Sequence, residues 1–419
     1  MSTEDATEDA LSSGGDGRGR RVAAAPGHAY RDGRTFPVDE TMRAEPMLKR
    51  LLIDNYKCLT NFELKPTAVS CLVGPNASGK SAVLGALRGL QGFSNLGVLA
   101  AEAFPSFSRT RWDSRIQQTF EVDAQVFRGA SMRYQLVVRH DEKKRAGLVE
   151  REAVWSDGKL LYEQIEGDVR LYGDGAASAS ATFPFDARRS FLPVLEPRPD
   201  YAQLTAFKAW LAGIWLFALR PTEMTSEAPD EAMALATEGR NFASWYRTLT
   251  QEKPASINAL RNSMTPLIPG FEGLRLERLS AASRYLMVDC RLGGRPFSLT
   301  LDELSDGQRN LLVLYTVLHA YAATASLLVF DEPDNFVAAN EIQPWLSELR
   351  AAVVEAGRGT LVVVSHHPEV IDYLSPDQSL LLTRSADGPT RVRNLAEFVD
   401  RDTGQKTSEL IGLGGPDAQ

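Results

Sequence analysis

The chain has 419 residues, which is enough for one large domain or about two to three ordinary ones. Its content of 43% hydrophobic and 24% charged residues is typical of soluble globular proteins. A formal net charge of -8 excludes a global basic field that would attract nucleic acid, although a local basic groove is compatible with it. Cys58, Cys71 and Cys290 lack metal-ligand spacing and predict a reducing, cytoplasmic setting without disulfides.

The first 46 residues predict a disordered tail, because they are rich in Gly, Ser, Asp, Glu and Arg. The acidic start "MSTEDATEDA" excludes a secretory signal. The pair Arg20 and Arg21 is followed by "VAAAPGHAY", which lacks the apolar region of an export signal. We expect the ordered domain to span residues 47–400 and a C-terminal tail to occupy 401–419.

A phosphate-binding loop follows the first strands. "LKRLLIDNY" and "AVSCLVG" predict strands, and "SAVLGALRGL" predicts a helix. Between them, "GPNASGKS" fits the pattern G-x-x-x-x-G-K-[ST] in its required strand-to-helix context. Backbone amides in such a loop bind phosphates, the lysine adds charge, and the final hydroxyl can bind Mg²⁺. The predicted phosphate-binding residues are Gly74, Pro75, Asn76, Ala77, Ser78, Gly79, Lys80 and Ser81, with Ser81 also a Mg²⁺ ligand.

The middle of the chain predicts strands, then helices, then strands. Several strand-like segments lie in residues 116–165, and Lys143, Lys144 and Arg145 fall in a turn that is either simply solvated or contacts nucleic acid. Spacing then predicts a helix carrying Leu204, Phe207, Leu211 and Ile214. Residues 221–270 read as polar and helical, and "LRLERLSAASRYLMVDCRL" returns to strands.

The stretch "ELSDGQRN" predicts a second helix start that can bind an anion. Ser305, Gly307 and Gln308 lie at or just before that helix, and amides at a helix N-terminus attract anions. The apolar run Leu311–Phe330 follows, and its length alone would permit a membrane span. Small residues at 322–326 instead favour a buried helix followed by a buried strand, so we predict no membrane segment.

Two later apolar strands end in side chains suited to phosphoryl transfer. "SLLVFDEP" ends in Asp331, predicted to hold Mg²⁺, and Glu332, predicted to deprotonate the attacking water. "GTLVVVSHHPEVID" ends in His366, which can hydrogen-bond a γ-phosphate or that water. Following a phosphate loop, the two strand ends predict a catalytic site with Glu332 and His366 as its catalytic residues.

The motifs "GPNASGKS", "LSDGQ", "DEP" and "SHH" resemble, in this order, those of the ATP-binding-cassette (ABC) ATPases. The likeness is greatest to the RecF-like and SMC-like branch and to the predicted ATPases related to the overcoming-lysogenization-defect nucleases. "LLIDNYKCLTNFEL" resembles that branch's opening strands, and "ATEGRNFASWYRTL" resembles its lid element. The resemblance covers 47–393.

The resemblance implies an α/β P-loop head with a mixed central sheet, an antiparallel β lobe and an inserted helical lid. The expected divisions are lobe I at 47–185, the lid at 186–295 and lobe II at 296–400. Too few residues follow "SHHP" for the Toprim nuclease domain of the lysogenization-defect proteins, so we expect none. Asp306 and the segment "DNFVAAN" depart from the usual family pattern.

By the same resemblance, Ser305, Gly307 and Gln308 contact ATP held by a second copy, so two ATP molecules and Mg²⁺ are enclosed in a head-to-tail homodimer. Lys57 matches a basic position that approaches the nucleotide in relatives. A glutamine that binds Mg²⁺ is also implied, and Gln117, Gln118 and Gln125 are equal candidates.

The sequence is compatible with three functions. The first is an ATP-switched dimer that acts on or senses DNA in repair or anti-phage defence, with a separate effector protein as a further partner. Its DNA contacts would include Arg109, Arg111 and Arg115. The second is the ATPase subunit of a membrane transporter, which the long segment between Ser81 and Ser305 disfavours. The third is a nucleotide-dependent scaffold without hydrolysis, which intact Glu332 and His366 disfavour.

Overall fold

The computed structural model describes residues 47–141, 146–385, 388–398 and 406–412, and the structural statements below concern these residues. The N-terminal tail predicted at 1–46 and the cluster of Lys143, Lys144 and Arg145 lie outside them.

The strands of the described residues form three sheets. The strands are β1 Met47–Asp54, β2 Phe62–Leu64, β3 Val69–Val73, β4 Gln117–Gln125, β5 Ser131–Asp141, β6 Ala146–Ser156, β7 Lys159–Ile165, β8 Asp168–Leu171, β9 Ala181–Pro184, β10 Ile214–Phe217, β11 Glu227–Ala228, β12 Phe271–Arg278, β13 Arg284–Leu292, β14 Arg295–Thr300, β15 Leu327–Asp331, β16 Thr360–Val364, β17 Ser379–Thr383 and β18 Arg391–Asn394. The helices are α1 Lys80–Ser94, α2 Ala100–Ala103, α3 Ala202–Ala212, α4 Phe242–Glu252, α5 Pro254–Met264, α6 Asp306–Tyr321, α7 Ala339–Arg350, α8 Pro368–Tyr373 and α9 Thr407–Gly412. The smallest of the three sheets is antiparallel and contains β11 to β14.

Eight strands from the first half of the chain form an antiparallel sheet, in the order β2-β1-β4-β5-β6-β7-β8-β9. Buried and partly exposed residues alternate along β4, which is the pattern of a strand with one face in the core. Phe120 and Val122 point into a core shared with Val83 and Leu87 of α1. This sheet is the antiparallel lobe that the family resemblance implies.

A second sheet has the order β10-β15-β16-β3-β17-β18, in which only β18 runs antiparallel. All five residues of β3 and of β16 are buried. Such continuous apolar strands are typical of a parallel sheet that is covered on both faces. The mixed central sheet predicted from the sequence is therefore confirmed.

Two helical predictions need correction. The helix predicted to reach Ile214 ends at Ala212, and Ile214 instead opens β10 beside β15. Gly213 makes this turn, where an added Cβ would lie 2.8 Å from Ser326 Oγ. The stretch 221–270 is helical only in α4 and α5, because 221–241 forms turns, a short 3-10 segment and β11.

The apolar run from Leu311 onward divides as the sequence predicts. Helix α6 ends at Tyr321, a turn follows, and β15 begins at Leu327. Nearly every side chain of this run is buried against α5, α7 and the central sheet. None of the helices in the described residues is long and apolar enough to cross a membrane.

Candidate nucleotide-binding site

The carboxyl ends of three neighbouring parallel strands bring the predicted site residues together. Strand β16 lies between β15 and β3, with Val364 in register with both Asp331 and Leu72. The phosphate loop leaves the end of β3, Glu332 follows β15, and His366 follows β16. Ligands of open α/β sheets bind at this edge, so the topology itself explains why motifs far apart in sequence meet.

The phosphate loop has a tight backbone that two glycines permit. Gly74 has a φ of 141° and Gly79 a φ of 111°, values that residues with a Cβ rarely adopt. An added Cβ at Gly79 would lie 2.5 Å from Thr390 Oγ1, and that hydroxyl donates to the carbonyl of Ser78 at 2.9 Å. Thr390, which was not predicted from the sequence, therefore stabilises the phosphate loop through this hydrogen bond.

The side chains of Lys80 and Ser78 can donate hydrogen bonds to an anion in the loop. The Lys80 ammonium donates to the carbonyls of Gly74 at 2.7 Å and Pro75 at 3.0 Å, so it lies within the curve of its own loop. Burial lowers the pKa of Lys80, an effect that the nearby Glu332 and Asp331 oppose. The buried Ser78 hydroxyl has no hydrogen-bond partner among the described residues. A phosphate would supply acceptors for both groups.

Asp331 and Ser81 fit the ligand set of Mg²⁺. Mg²⁺ in nucleotide sites usually takes one or two carboxylates and retains waters and substrate phosphates as its other ligands. Ser81 and Asp331 line the same cleft. Burial raises the pKa of Asp331, and repulsion from Glu332 adds to that, whereas Arg88 and Lys80 oppose it. A bound divalent cation would favour the charged form of this carboxylate.

Glu332 is held in a constrained position beside His366. Its φ is 50°, its amide donates to the carbonyl of Val364 at 2.8 Å, and its carboxylate accepts from Asn335 Nδ2 at 2.8 Å. His366 Nε2 lies 3.3 Å from the other carboxylate oxygen. A carboxylate fixed in this way beside an imidazole can position a water molecule and take its proton.

The signature segment begins α6 but does not line this cleft. Ser305 caps the helix: its hydroxyl accepts from the amide of Gln308 at 3.2 Å, and the Gln308 side chain accepts from the amide of Ser305 at 3.1 Å. Helix geometry leaves the amides of Asp306 and Gly307 without intrahelical acceptors. An added Cβ at Gly307 would lie 2.4 Å from the carbonyl oxygen of Phe336, so only glycine fits there.

A buried asparagine, which was not predicted from the sequence, joins helix α6 to the loop that carries Glu332. Asn310 Nδ2 donates to the carbonyls of Pro333 and Asn335, both at 2.9 Å. Asn335 in turn contacts Glu332. In the sequence Asn310 is only the last residue of the polar start of α6, directly before the apolar run that begins at Leu311.

The cleft has a volume of about 630 Å³ and extends beyond the predicted residues. Lys57 lines it, as the resemblance implied, and so do Arg109 and Arg111. None of the three candidate glutamines is among its lining residues, and Gln118 is buried in hydrogen bonds to Asn55, Ser108 and His140. Further lining residues absent from the predictions are Cys58, Phe107, Trp112 and Arg384.

One known family model matches part of the chain. Residues 291–372 match the family described as an AAA domain, putative AbiEii toxin, of a type IV toxin–antitoxin system. The match includes the signature, Asp331, Glu332 and His366, but it covers less than half of the chain. No curated protein has a detectable match in sequence.

Solved structures extend the likeness to most of the chain. The SMC head bound to the C-winged helix domain of ScpA superposes with a TM-score of 0.50 at 14% identity, covering 84% of this chain and 100% of that one. The Thermotoga maritima SMC head gives 0.43 at 12% identity, covering 83% and 98%. The Smc head with an extended coiled coil, bound to the C-terminal domain of ScpA derived from Pyrococcus furiosus, gives 0.47 at 12% identity, covering 84% and 98%.

The chain therefore has the fold of the ABC-type ATPase head in its SMC-like and RecF-like branch. At this level of identity the likeness establishes the fold alone.

Proposed function

We propose that this protein binds ATP with Mg²⁺ and hydrolyses it to ADP and phosphate. The observation that supports the proposal is a single cleft lined by Lys80 and Ser81 of the phosphate loop together with Asp331, Glu332 and His366. Phosphoryl transfer depends mainly on positioning and charge stabilisation, and these five groups supply both. A purely nucleotide-binding scaffold would not need a carboxylate constrained beside an imidazole.

The chemistry divides among the same residues. Lys80 and the loop amides bind the β- and γ-phosphates, while Ser81 and Asp331 would hold Mg²⁺, which neutralises charge on the phosphate oxygens when bound. Glu332 orients a water molecule and takes one of its protons. The water oxygen then bonds to the γ-phosphorus as the bond to the bridging oxygen breaks, leaving ADP and phosphate.

We further propose that two copies enclose two nucleotides head to tail. The signature residues Ser305, Gly307 and Gln308 lie outside the cleft of their own chain, and the first amides of α6 are unpaired within the helix. A facing copy would bring these amides to the γ-phosphate. Phe336, 63% exposed and packed on Gly307, would lie in the same interface.

We propose DNA and a separate effector protein as the partners of this ATP-dependent dimer. The dimer would act in DNA repair or anti-phage defence, in the cytoplasm. The family resemblance supports DNA, and the head structure bound to a domain of ScpA supports a protein partner. Arg115 pairs with Asp54 at 2.6 Å and Asp113 at 2.5 Å, so it contributes less net positive charge to a DNA groove than the sequence suggested. A transporter subunit is the alternative from another class.

Replacing the phosphate-loop lysine tests ATP binding directly. Lys80→Ala should reduce ATP affinity by well over the tenfold that about 1.4 kcal/mol represents, because the phosphates lose their nearest point charge. Lys65→Ala is the matched control, since Lys65 is an exposed lysine of the same lobe that is paired only with Glu63. Calorimetric titration with Mg-ATP measures both. An affinity of Lys80→Ala within about twofold of the unaltered protein would refute the assignment.

A further inference from the structure

The rim of the cleft carries two exposed aromatic rings. Phe107 is 68% exposed and Trp112 is 52% exposed, and both line the same cavity as the phosphate loop. The guanidinium of Arg384 lies 5.1 Å from the centroid of the Trp112 ring, within the range of a cation–π contact. None of the phosphate or catalytic chemistry described above uses this pair.

The loop that carries Trp112 is held by hydrogen bonds to one buried asparagine. Asn55 is fully buried, and its side-chain amide donates to the carbonyls of Arg115 at 2.9 Å and Gln117 at 2.7 Å. Its side-chain oxygen accepts from the amide of Thr110 at 3.0 Å. Both flanks of Trp112 are therefore fixed to one buried side chain. A tryptophan held half-exposed by a rigid loop is pre-organised for a ligand at low entropic cost.

Arg384 connects this rim to the phosphate loop. It follows β17, which pairs with β3, and its Nε donates to the carbonyl of Gly388 at 3.1 Å. Arg384 also lines a small neighbouring pocket together with Pro75, Asn76, Ala77 and Ser78. The indole is thus held at a defined position relative to the phosphate site, in the cleft that Lys57 and Cys58 also line.

We propose that Trp112, with Arg384 packed on its ring, binds the nucleobase of the nucleoside triphosphate whose phosphates lie on residues 74–81. This inference rests on the proposed function, because it presumes that the phosphate loop holds a nucleotide. Stacking on an aromatic ring accepts any base, because every base has a π-face. A purine, with two fused rings, covers more of the indole than a pyrimidine does and therefore stacks more strongly. The site is therefore selective for purines over pyrimidines, and it binds ATP and GTP with similar affinity.

The stacked ligand is the bound nucleotide rather than a base of single-stranded nucleic acid. Trp112 faces the cavity that also contains Lys80, so a nucleic-acid base stacked there would compete with the nucleotide. Asp331 and Glu332 line the same cleft, and their charges disfavour an incoming phosphodiester chain.

Inorganic tripolyphosphate separates base binding from phosphate binding. Calorimetric titrations with ATP, GTP, CTP and tripolyphosphate, each with Mg²⁺, are compared for the unaltered protein, Trp112→Ala and Trp112→Phe. Trp112→Ala should weaken ATP and GTP binding about 10- to 100-fold and leave tripolyphosphate unchanged, whereas Trp112→Phe should keep most of the purine affinity. Phe297→Ala is the matched control, because Phe297 is an exposed aromatic residue that does not line the cleft.

Each other outcome overturns the stacking assignment. ATP affinity unchanged in Trp112→Ala, or equal loss of ATP and tripolyphosphate, would show that the indole does not bind the base. Reduced affinity for single-stranded DNA with ATP affinity intact would assign Trp112 to nucleic acid instead. An unaltered protein that binds neither ATP nor tripolyphosphate would refute the phosphate-loop proposal itself, a failure that is distinguishable from loss of base binding alone.

Discussion

The carboxylate of Glu332 lies 3.3 Å from Nε2 of His366, and it is held there from its other side by Asn335. If both groups act on the attacking water, His366→Ala should lower ATP turnover by about 10²-fold while ATP affinity stays within a few-fold. His367→Ala is the control, because this exposed neighbour lies near Glu369 and outside the nucleotide cleft. Steady-state turnover and calorimetric titration separate the two effects. Equal turnover in the two variants would contradict the role of His366.

Asn310 connects helix α6 to the loop that carries Glu332. Asn310→Ala leaves the carbonyl of the buried Pro333, and the more exposed carbonyl of Asn335, without the Asn310 donor, which should lower the free energy of unfolding by about 1–3 kcal/mol. Turnover should fall as well, because the loop that holds Glu332 loses its anchor. Thr316→Ala is the matched control, since that buried hydroxyl bonds only to Leu312 of its own helix. Urea unfolding and a turnover assay measure both. If Asn310→Ala matches Thr316→Ala in turnover, the anchor has no catalytic role.

A buried carboxylate in the antiparallel lobe should make stability depend on pH. Glu152 accepts hydrogen bonds from Tyr134, Tyr162 and Ser190, and burial raises its pKa from 4.5 to about 7. Because the native state binds this proton more tightly than the unfolded chain, the stabilisation is complete below pH 4.5 and is lost as pH rises through 7. The expected loss is roughly 1.4 kcal/mol per pH unit across that window.

Glu152→Gln removes this titration, so the difference in unfolding free energy between variant and unaltered protein should change with pH in the same window. Urea unfolding at several pH values between 4.5 and 7.5 measures it. Parallel stability curves for Glu152→Gln and the unaltered protein would contradict the assignment.

DNA binding should be electrostatic and should depend on nucleotide. If dimerisation forms a basic groove, DNA affinity with a non-hydrolysable ATP analogue should fall steeply with salt, because each neutralised phosphate releases counterions. Replacing Lys143, Lys144 and Arg145 by alanine should reduce the slope if that turn contacts the backbone. A salt series with and without the analogue measures both, and no binding at low salt would favour a switch that acts only on protein partners.

The sequence predicted the site best where local pattern and sheet topology agree. Asp331 ends the apolar strand β15, and His366 follows the apolar strand β16. Because β15, β16 and β3 are parallel neighbours, the carboxyl ends of all three strands lie beside the phosphate loop. The helix wrongly extended to Ile214 shows the limit of periodicity, since the apolar spacing continues across Gly213 into a buried strand. At Gly213 the carbonyl accepts from the amides of Ser326 and Leu327, which lie far along the chain, and no local pattern reports that contact.

The missed residues act through contacts between distant parts of the chain. Thr390 supports the phosphate loop from a segment far along the chain, and Asn55 braces the loop of Trp112 from the end of β1. No local pattern marks a threonine or an asparagine for such a role. The Gln118 side chain illustrates the converse, because its position suggested a metal ligand and its contacts make it part of a buried network.

The sharpest test concerns the two phosphate-binding ends of one chain. Glu332→Gln removes the base and keeps the contacts to phosphate and metal, so ATP should bind and remain intact, and turnover should fall by about 10²-fold or more. If Ser305 acts on a facing copy, this variant should accumulate as an ATP-bound dimer. Size measurement by light scattering with and without ATP reads this directly.

Adding Ser305→Arg to Glu332→Gln should return the protein to monomers that each still bind one ATP, because a bulky cation would occupy the place of the facing γ-phosphate. Ser408→Arg is a control at another helix start, where the partly exposed serine bonds to Asp372 of its own chain among the described residues, and it should leave the dimer intact. Mixing Lys80→Ala chains with Ser305→Arg chains should restore at most one working site per heterodimer. A Glu332→Gln protein whose size responds to neither ATP nor Ser305→Arg would mean that the signature segment only starts a helix, and the two-copy site would be refuted.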